Sequence, residues 1–148
     1  MIWVTRARPK TDRIACPWLI RRFIDRDAEI RYVPPSDVLA VAAREGGRSF
    51  DAPGADLTHR DGRCSFEVLI EEFGLTGDAA LVRLARIVHA ADVAEDLATD
   101  ALGPGLLAIG VGGLDVERDD DRLLERAGFV YDALYAWCAR DVGGTAAQ

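Results

Sequence analysis

The chain has two histidines, and each stands beside soft or acidic donors at ligand-like spacing. His59 opens the run His59-Arg60-Asp61-Gly62-Arg63-Cys64-Ser65-Phe66-Glu67, and His89 opens His89-Ala90-Ala91-Asp92. A neutral imidazole is the commonest protein ligand for transition metals, and carboxylates or a thiolate complete such sites. His89 and Asp92 lie three apart on a predicted helix, so both project from one face within reach of a common ion. Glu67 follows Cys64 by three at the start of another helix, with His59 approaching from the preceding loop. The reading is a mixed N/O/S site for Mn, Fe or Zn built from His59, Glu67, His89 and Asp92, with Cys64 or Asp51 as further donors. The plain alternative is that His89 is a buried helix residue bonded to a carbonyl and that Asp92 merely ends its helix.

Two further constellations sit near the start. Cys16 precedes Pro17 at an expected helix N-terminus, where the helix dipole and nearby Arg13 would lower a thiol pKa and make it nucleophilic. Against that stands the common fate of free cysteines, burial as small hydrophobes, here beside Trp18. Arg6, Arg8, Lys10 and Arg13 flank the same helix start, and a helix N-terminus with convergent cations is suited to an oxyanion. Lys10 is the one lysine among eighteen basic residues, and arginine binds oxyanions through two parallel hydrogen bonds. Solvated surface charge is the alternative.

These residues need elements to place them. Ile2 to Arg6 reads as a short strand, followed by a polar turn at Pro9-Lys10-Thr11-Asp12. A helix with Pro17 at its first position and an apolar stripe of Trp18, Leu19, Phe23 and Ile24 ends near Asp27. Glu29 to Pro34 alternates as a half-buried strand, Ser36 can cap a short helix to about Arg44, and Gly46-Gly47 closes it. Arg48 to Pro53 reads as another strand, and Ala55 to Gly62, carrying His59, as a loop or edge strand. Helices are expected over Ser65 to Phe73 with Gly74 as C-cap, Asp78 to Asp92 with Asp78 as N-cap, Gly105 to Leu114, and Asp119 to Arg140. In the last, Leu123, Leu124, Ala127, Val130, Leu134 and Trp137 form a broad buried stripe, while Tyr131, Tyr135 and Cys138 read as packing residues. Gly110, Gly112 and Gly113 would allow close helix packing. The fold class is α+β: a small sheet of short N-terminal strands packed against a mostly helical C-terminal half. Residues 1–141 form one domain and 142–148 a frayed tail.

With 49% hydrophobic and 29% charged residues, 148 residues are enough to bury a core without disulfide staples. The longest apolar runs fall short of the roughly 20 residues of a bilayer span, and the charged start offers no signal-peptide core. A cytoplasmic protein with no membrane partner is the expectation. Three cysteines without a Cys-x-x-Cys pair oppose a disulfide framework and a four-thiolate zinc site. A net charge of −7 opposes nonspecific attraction to nucleic acid.

The run from Trp3 to Asp25, WVTRARPKTDRIACPWLIRRFID, resembles the opening of the chromate-resistance domain that forms the C-terminal half of ChrB proteins. Phe50-Asp51 with Pro53-Gly54, Thr58-His59, Cys64-Ser65-Phe66-Glu67, Ile87-Val88-His89-Ala90-Ala91-Asp92 and Tyr131-Asp132-Ala133-Leu134-Tyr135-Ala136-Trp137 are similar to it in the same order. The resemblance implies a link to chromate resistance, ChrB proteins being chromate-responsive regulators of an efflux operon. Three functional expectations follow from residues and resemblance together. The first is a metal-binding protein in which an open coordination position beside Arg6, Arg8 or Arg13 acts on an oxyanion or a reactive oxygen species, as a metal-dependent oxidoreductase would. The second is a non-catalytic sensor holding a small anion such as chromate on the basic start. The third is a thiol enzyme using Cys16 with Arg13 beside it.

Overall fold

The computed structural model describes residues 1–144. A three-stranded parallel sheet of order β2-β1-β3 is formed by β1 (Ile2–Arg6), β2 (Glu29–Val33) and β3 (Arg48–Ser49). β1 is central, pairing Val4 with Arg31 on one side and with Ser49 on the other. Its interior residues Trp3, Val4 and Thr5 are buried, as a strand covered on both faces requires. The helices are α1 (Asp12–Leu19), α2 (Val38–Glu45), α3 (Ser65–Glu72), α4 (Ala79–Asp92), α5 (Gly103–Val116) and α6 (Asp120–Val142). The expected α+β class holds, with the sheet N-terminal and the helices dominating the second half.

The first helix corrects the sequence expectation. It begins at Asp12, not Pro17, so the proline sits inside it. A proline there removes the N–H that would bond the carbonyl four residues back, that of Arg13. That carbonyl instead accepts the Tyr32 hydroxyl of β2 at 2.7 Å. A π-helical turn, Ile20–Ile24, then carries the chain to an extended Asp25, short of the expected end near Asp27. The third strand is also shorter than expected. Phe50 still donates its backbone N–H to the Val4 carbonyl at 3.0 Å, but Asp51 adopts φ 45°, which ends the ladder.

Expectations for the later helices hold more closely. Asp78 caps α4, its side chain accepting from Leu81 N at 3.0 Å. α5 extends two residues beyond the expectation at each end, with Pro104 in its first turn. Close helix approach is made by Gly103, where a Cβ would come within 2.7 Å of Ala90 on α4, and by Gly113, where it would stand 3.3 Å from Leu123 on α6; a Cβ at Gly112 would meet nothing. On α6 the deepest residues are Leu123, Leu124, Tyr131 and Cys138, while Val130, Leu134 and Trp137 line the margin. The expected frayed tail begins inside the last turn of α6, and residues 145–148 lie outside the described residues.

The core centres on α3 and α4, where Phe66, Leu69, Leu81, Leu84 and Ile87 are fully buried. Each stabilises the fold by about 1.5–3 kcal/mol. This apolar packing holds the N-terminus of α3 and the C-terminus of α4 in fixed relation to α1. Among the described residues no helix is long and apolar enough to cross a membrane.

Candidate metal centre

The N-terminal turn of α3 is where the site is assembled. Its free N–H groups would need a capping acceptor, and Asp12, the first residue of α1, supplies one from across the core. Asp12 Oδ2 accepts from Ser65 N at 2.7 Å and Oδ1 from Phe66 N at 3.2 Å. The carboxylate is completely buried. Asp51 arrives from the end of β3 in its left-handed conformation, a strained backbone of the kind that collects at functional sites. Ser65 Oγ donates to Asp51 Oδ1 at 2.8 Å. On the other oxygen, Arg6 Nη2 stands at 3.3 Å and Arg13 Nε at 3.6 Å. Asp92 is the final residue of α4.

His59 closes the arrangement from its loop. One atom, Nε2, lies 3.3 Å from Asp12 Oδ2, 3.3 Å from Asp51 Oδ1 and 2.9 Å from Asp92 Oδ2. One N–H cannot serve three carboxylates with good geometry, and the single charge of one imidazolium does not balance three carboxylates. A cation held among them resolves both problems. The ligand atoms of all four residues lie within 4.8 Å of one another, and one imidazole with three carboxylates is a donor set suited to Mn, Fe or Zn.

The same contacts set the protonation of the centre. Bonds to Asp12, Asp51 and Asp92 push the His59 imidazole up to about 12, so in the metal-free protein it is an imidazolium. Burial raises Asp12 to about 7, opposed by its bond to His59. Burial would also raise Asp51, but bonds from His59 and Ser65 and the charge of Arg6 hold it below the ordinary carboxylate value.

His89, expected beside His59, belongs to a second cluster. Its Nδ1 makes a short contact with Glu67 Oε1 and its Nε2 lies 2.6 Å from Asp96 Oδ2. Glu67 Oε1 also accepts from Cys64 N at 3.0 Å. Desolvation would lower His89, but the bonds to Asp96 and Glu67 raise it; burial raises the Cys64 thiol well above its usual value. The five residues read as one ligand set thus divide into His59 with Asp92 and His89 with Glu67 and Cys64. His89 and Asp92 share a helix but turn to different partners. Asp12 and Asp96 were missing from the sequence reading. Asp12 stood in a polar turn and nothing in its spacing tied it to His59; Asp96 lies on a 3₁₀ turn, Ala94–Thr99, that the periodicity did not reveal.

The basic start separates as well. Arg6 and Arg13 border the first centre through Asp51. Arg8 does not: it bonds Asp120, the carbonyls of Arg118 and Glu117, and the Leu114 carbonyl at 2.7 Å, clamping the link between α5 and α6. Lys10 packs beside Gly110 of α5. Cys16 is the fifth residue of α1 rather than its start, is fully buried, and burial pushes its thiol well above the ordinary value. The helix-start rationale for a nucleophilic Cys16 therefore fails.

Fold and cluster define a helix-rich α+β domain with a part-buried His-and-carboxylate cluster at the junction of α1, α3 and α4. The family model for the ChrB C-terminal domain matches residues 3–138, and the chain belongs to that family. It is 39% identical over 138 residues to Protein ChrB of Cupriavidus metallidurans, covering 90% of this chain and 39% of the relative. The chain thus spans about two fifths of that relative's length. No solved structure matches it.

Proposed function

We propose that this domain is a cytoplasmic metal-binding protein of the chromate-resistance family that holds a divalent transition ion among Asp12, Asp51, His59 and Asp92 and acts on a small oxyanion or reactive oxygen species. The observation that carries the reading is the convergence of three carboxylates on the single Nε2 of His59. The bound ion would supply Lewis-acid or redox chemistry. The protein's own groups do the rest. Ser65 orients two ligands at once, holding Asp12 through its backbone N–H and Asp51 through its hydroxyl. Such outer partners keep ligands in position and tune them. The His59 side chain is 44% exposed, so one side of the centre opens to solvent. Arg6 and Arg13 border the other oxygen of Asp51 and would supply the positive charge an incoming anion needs.

Metal analysis of purified protein beside His59→Ala and Asp51→Asn tests this. The expected result is a transition ion in the unaltered chain, with loss of one equivalent in each variant. Retention of full metal content by both variants would overturn it. The nearness of Arg6 and Arg13 also favours a second reading, a sensor that binds an anion such as chromate without turnover. It requires saturable chromate binding that survives chelation and weakens in Arg13→Ala.

A further inference from the structure

We infer that Cys64, Glu67 and His89 form a second, separate cation site, selective for a borderline-soft divalent ion of the zinc class, with Asp96 as the carboxylate that sets the histidine tautomer. The inference extends the metal reading above but does not depend on the first centre.

Cys64 Sγ, a Glu67 oxygen and a His89 ring nitrogen lie within 4.8 Å of one another. Three protein ligands of S, N and O type are the donor number of a catalytic rather than a structural zinc site. The side chains of Glu67 and His89 are 25% and 16% exposed, while Cys64 is fully buried. The cluster therefore has a closed floor and an open mouth.

The partner of the second ring nitrogen is the more specific feature. Metal-bound histidines usually donate their other N–H to a carboxylate, which fixes ring orientation and tautomer. Asp96 Oδ2 stands 2.6 Å from His89 Nε2, on the nitrogen opposite Glu67. In the ion-bound form the ring keeps its proton on Nε2, donated to Asp96, and Nδ1 presents its lone pair on the side of Glu67. Glu67 is kept at this point by the N–H of Cys64 at 3.0 Å, so its carboxylate is oriented before an ion arrives. Ion binding displaces two protons to solvent, that of the Cys64 thiol and that of His89 Nδ1, leaving a thiolate and an imidazole lone pair as ligands.

The two centres differ in softness. The first offers one nitrogen and three carboxylate oxygens, the second a sulfur, a nitrogen and an oxygen. Thiolate and imidazole select zinc-like ions over harder ones, so the two sites load with different preferences. Both hang from the same two helix ends: Cys64, Ser65 and Glu67 at the start of α3, His89 and Asp92 at the close of α4.

Cobalt(II) titration of the demetallated full chain tests the inference, because a cobalt–thiolate bond produces a near-ultraviolet charge-transfer band that oxygen and nitrogen ligands do not. The expected result is two equivalents per chain and a charge-transfer band. The band disappears in Cys64→Ser, and in Asp96→Asn its half-saturation shifts to about 10–100-fold higher cobalt. His59→Ala retains the band with one equivalent. A wild-type chain that binds one equivalent without the band, or a band that survives in Cys64→Ser, would overturn the second site. Because wild type and His59→Ala both report on it, the result does not hinge on the fold of the Cys64 variant. A chain that shows the band with one equivalent unchanged by His59→Ala would instead sink the first centre and leave the second standing.

Discussion

His59 and Asp12 compete with any cation for their own lone pairs, which makes the first centre sensitive to pH in a defined direction. His59, pushed up to about 12, carries a proton across the neutral range, and Asp12, raised to about 7, carries one below that pH. An ion must displace one proton above about pH 7 and two below it. Apparent affinity therefore falls as pH falls, by about tenfold per unit for each displaced proton, and the slope steepens below pH 7. Calorimetric titrations at a series of pH values check this; a pH-independent affinity contradicts the ligand set. Cys16 leads to the opposite kind of expectation. Its thiol is buried and raised, with Asp12 Oδ1 at 3.8 Å, so Cys16→Ser keeps both metal content and any oxyanion turnover. Loss of turnover with metal retained would restore the thiol chemistry that its neighbourhood argues against.

Among the elements, α1 decides most about the site because it brings Asp12 into the core. Its proline is tolerated because the Tyr32 hydroxyl satisfies the Arg13 carbonyl that Pro17 leaves without a donor. Tyr32→Phe leaves that part-buried carbonyl unpaired at a cost of about 1–3 kcal/mol, read as a lower urea midpoint. It also loosens the helix that carries Asp12, so metal affinity falls with it. Unchanged stability would mean that the carbonyl finds another donor. α3 is the complementary case: Asp12 replaces a local side chain as acceptor for its first N–H groups. One carboxylate thus caps a helix and belongs to the proposed metal centre.

Across the whole molecule the centre joins parts that are far apart in sequence: residue 12 on the first helix, 51 after the third strand, 59 in a loop and 92 at the end of the fourth helix. An ion bound only by the folded state stabilises it by mass action, by about 2.7 kcal/mol at a free concentration one hundred times Kd. Thermal unfolding with and without a saturating divalent ion checks this. The melting temperature rises with ion concentration, chelator reverses the rise, and the contribution of the first centre is missing in His59→Ala. No shift at saturation would mean that the chain does not hold the ion as argued.

Much of the frame was legible in the residues. Local physics determines it: the β-branched and aromatic run of β1, the alternation of β2, the aspartate caps before α4 and α6, and the 3.6-residue periodicity of the later helices all act over a few neighbours. The resemblance to the chromate-resistance domain likewise rests on motifs written in order along the chain, and the family match bears it out. Local signals failed where distant groups intervened, at Pro17 through Tyr32 and at the short third strand where Asp51 turns to Arg6 and Ser65. The site itself is a question of which distant side chains meet, and spacing along the chain cannot answer it. His89 and Asp92 take different partners, Glu67 and His59, although they stand three apart on α4. Asp12 joins them only because the packing of α1 against α3 places its carboxylate at the helix start. Sequence determined the residue types capable of holding metal; the tertiary structure decided that they form two groups and which carboxylates each contains.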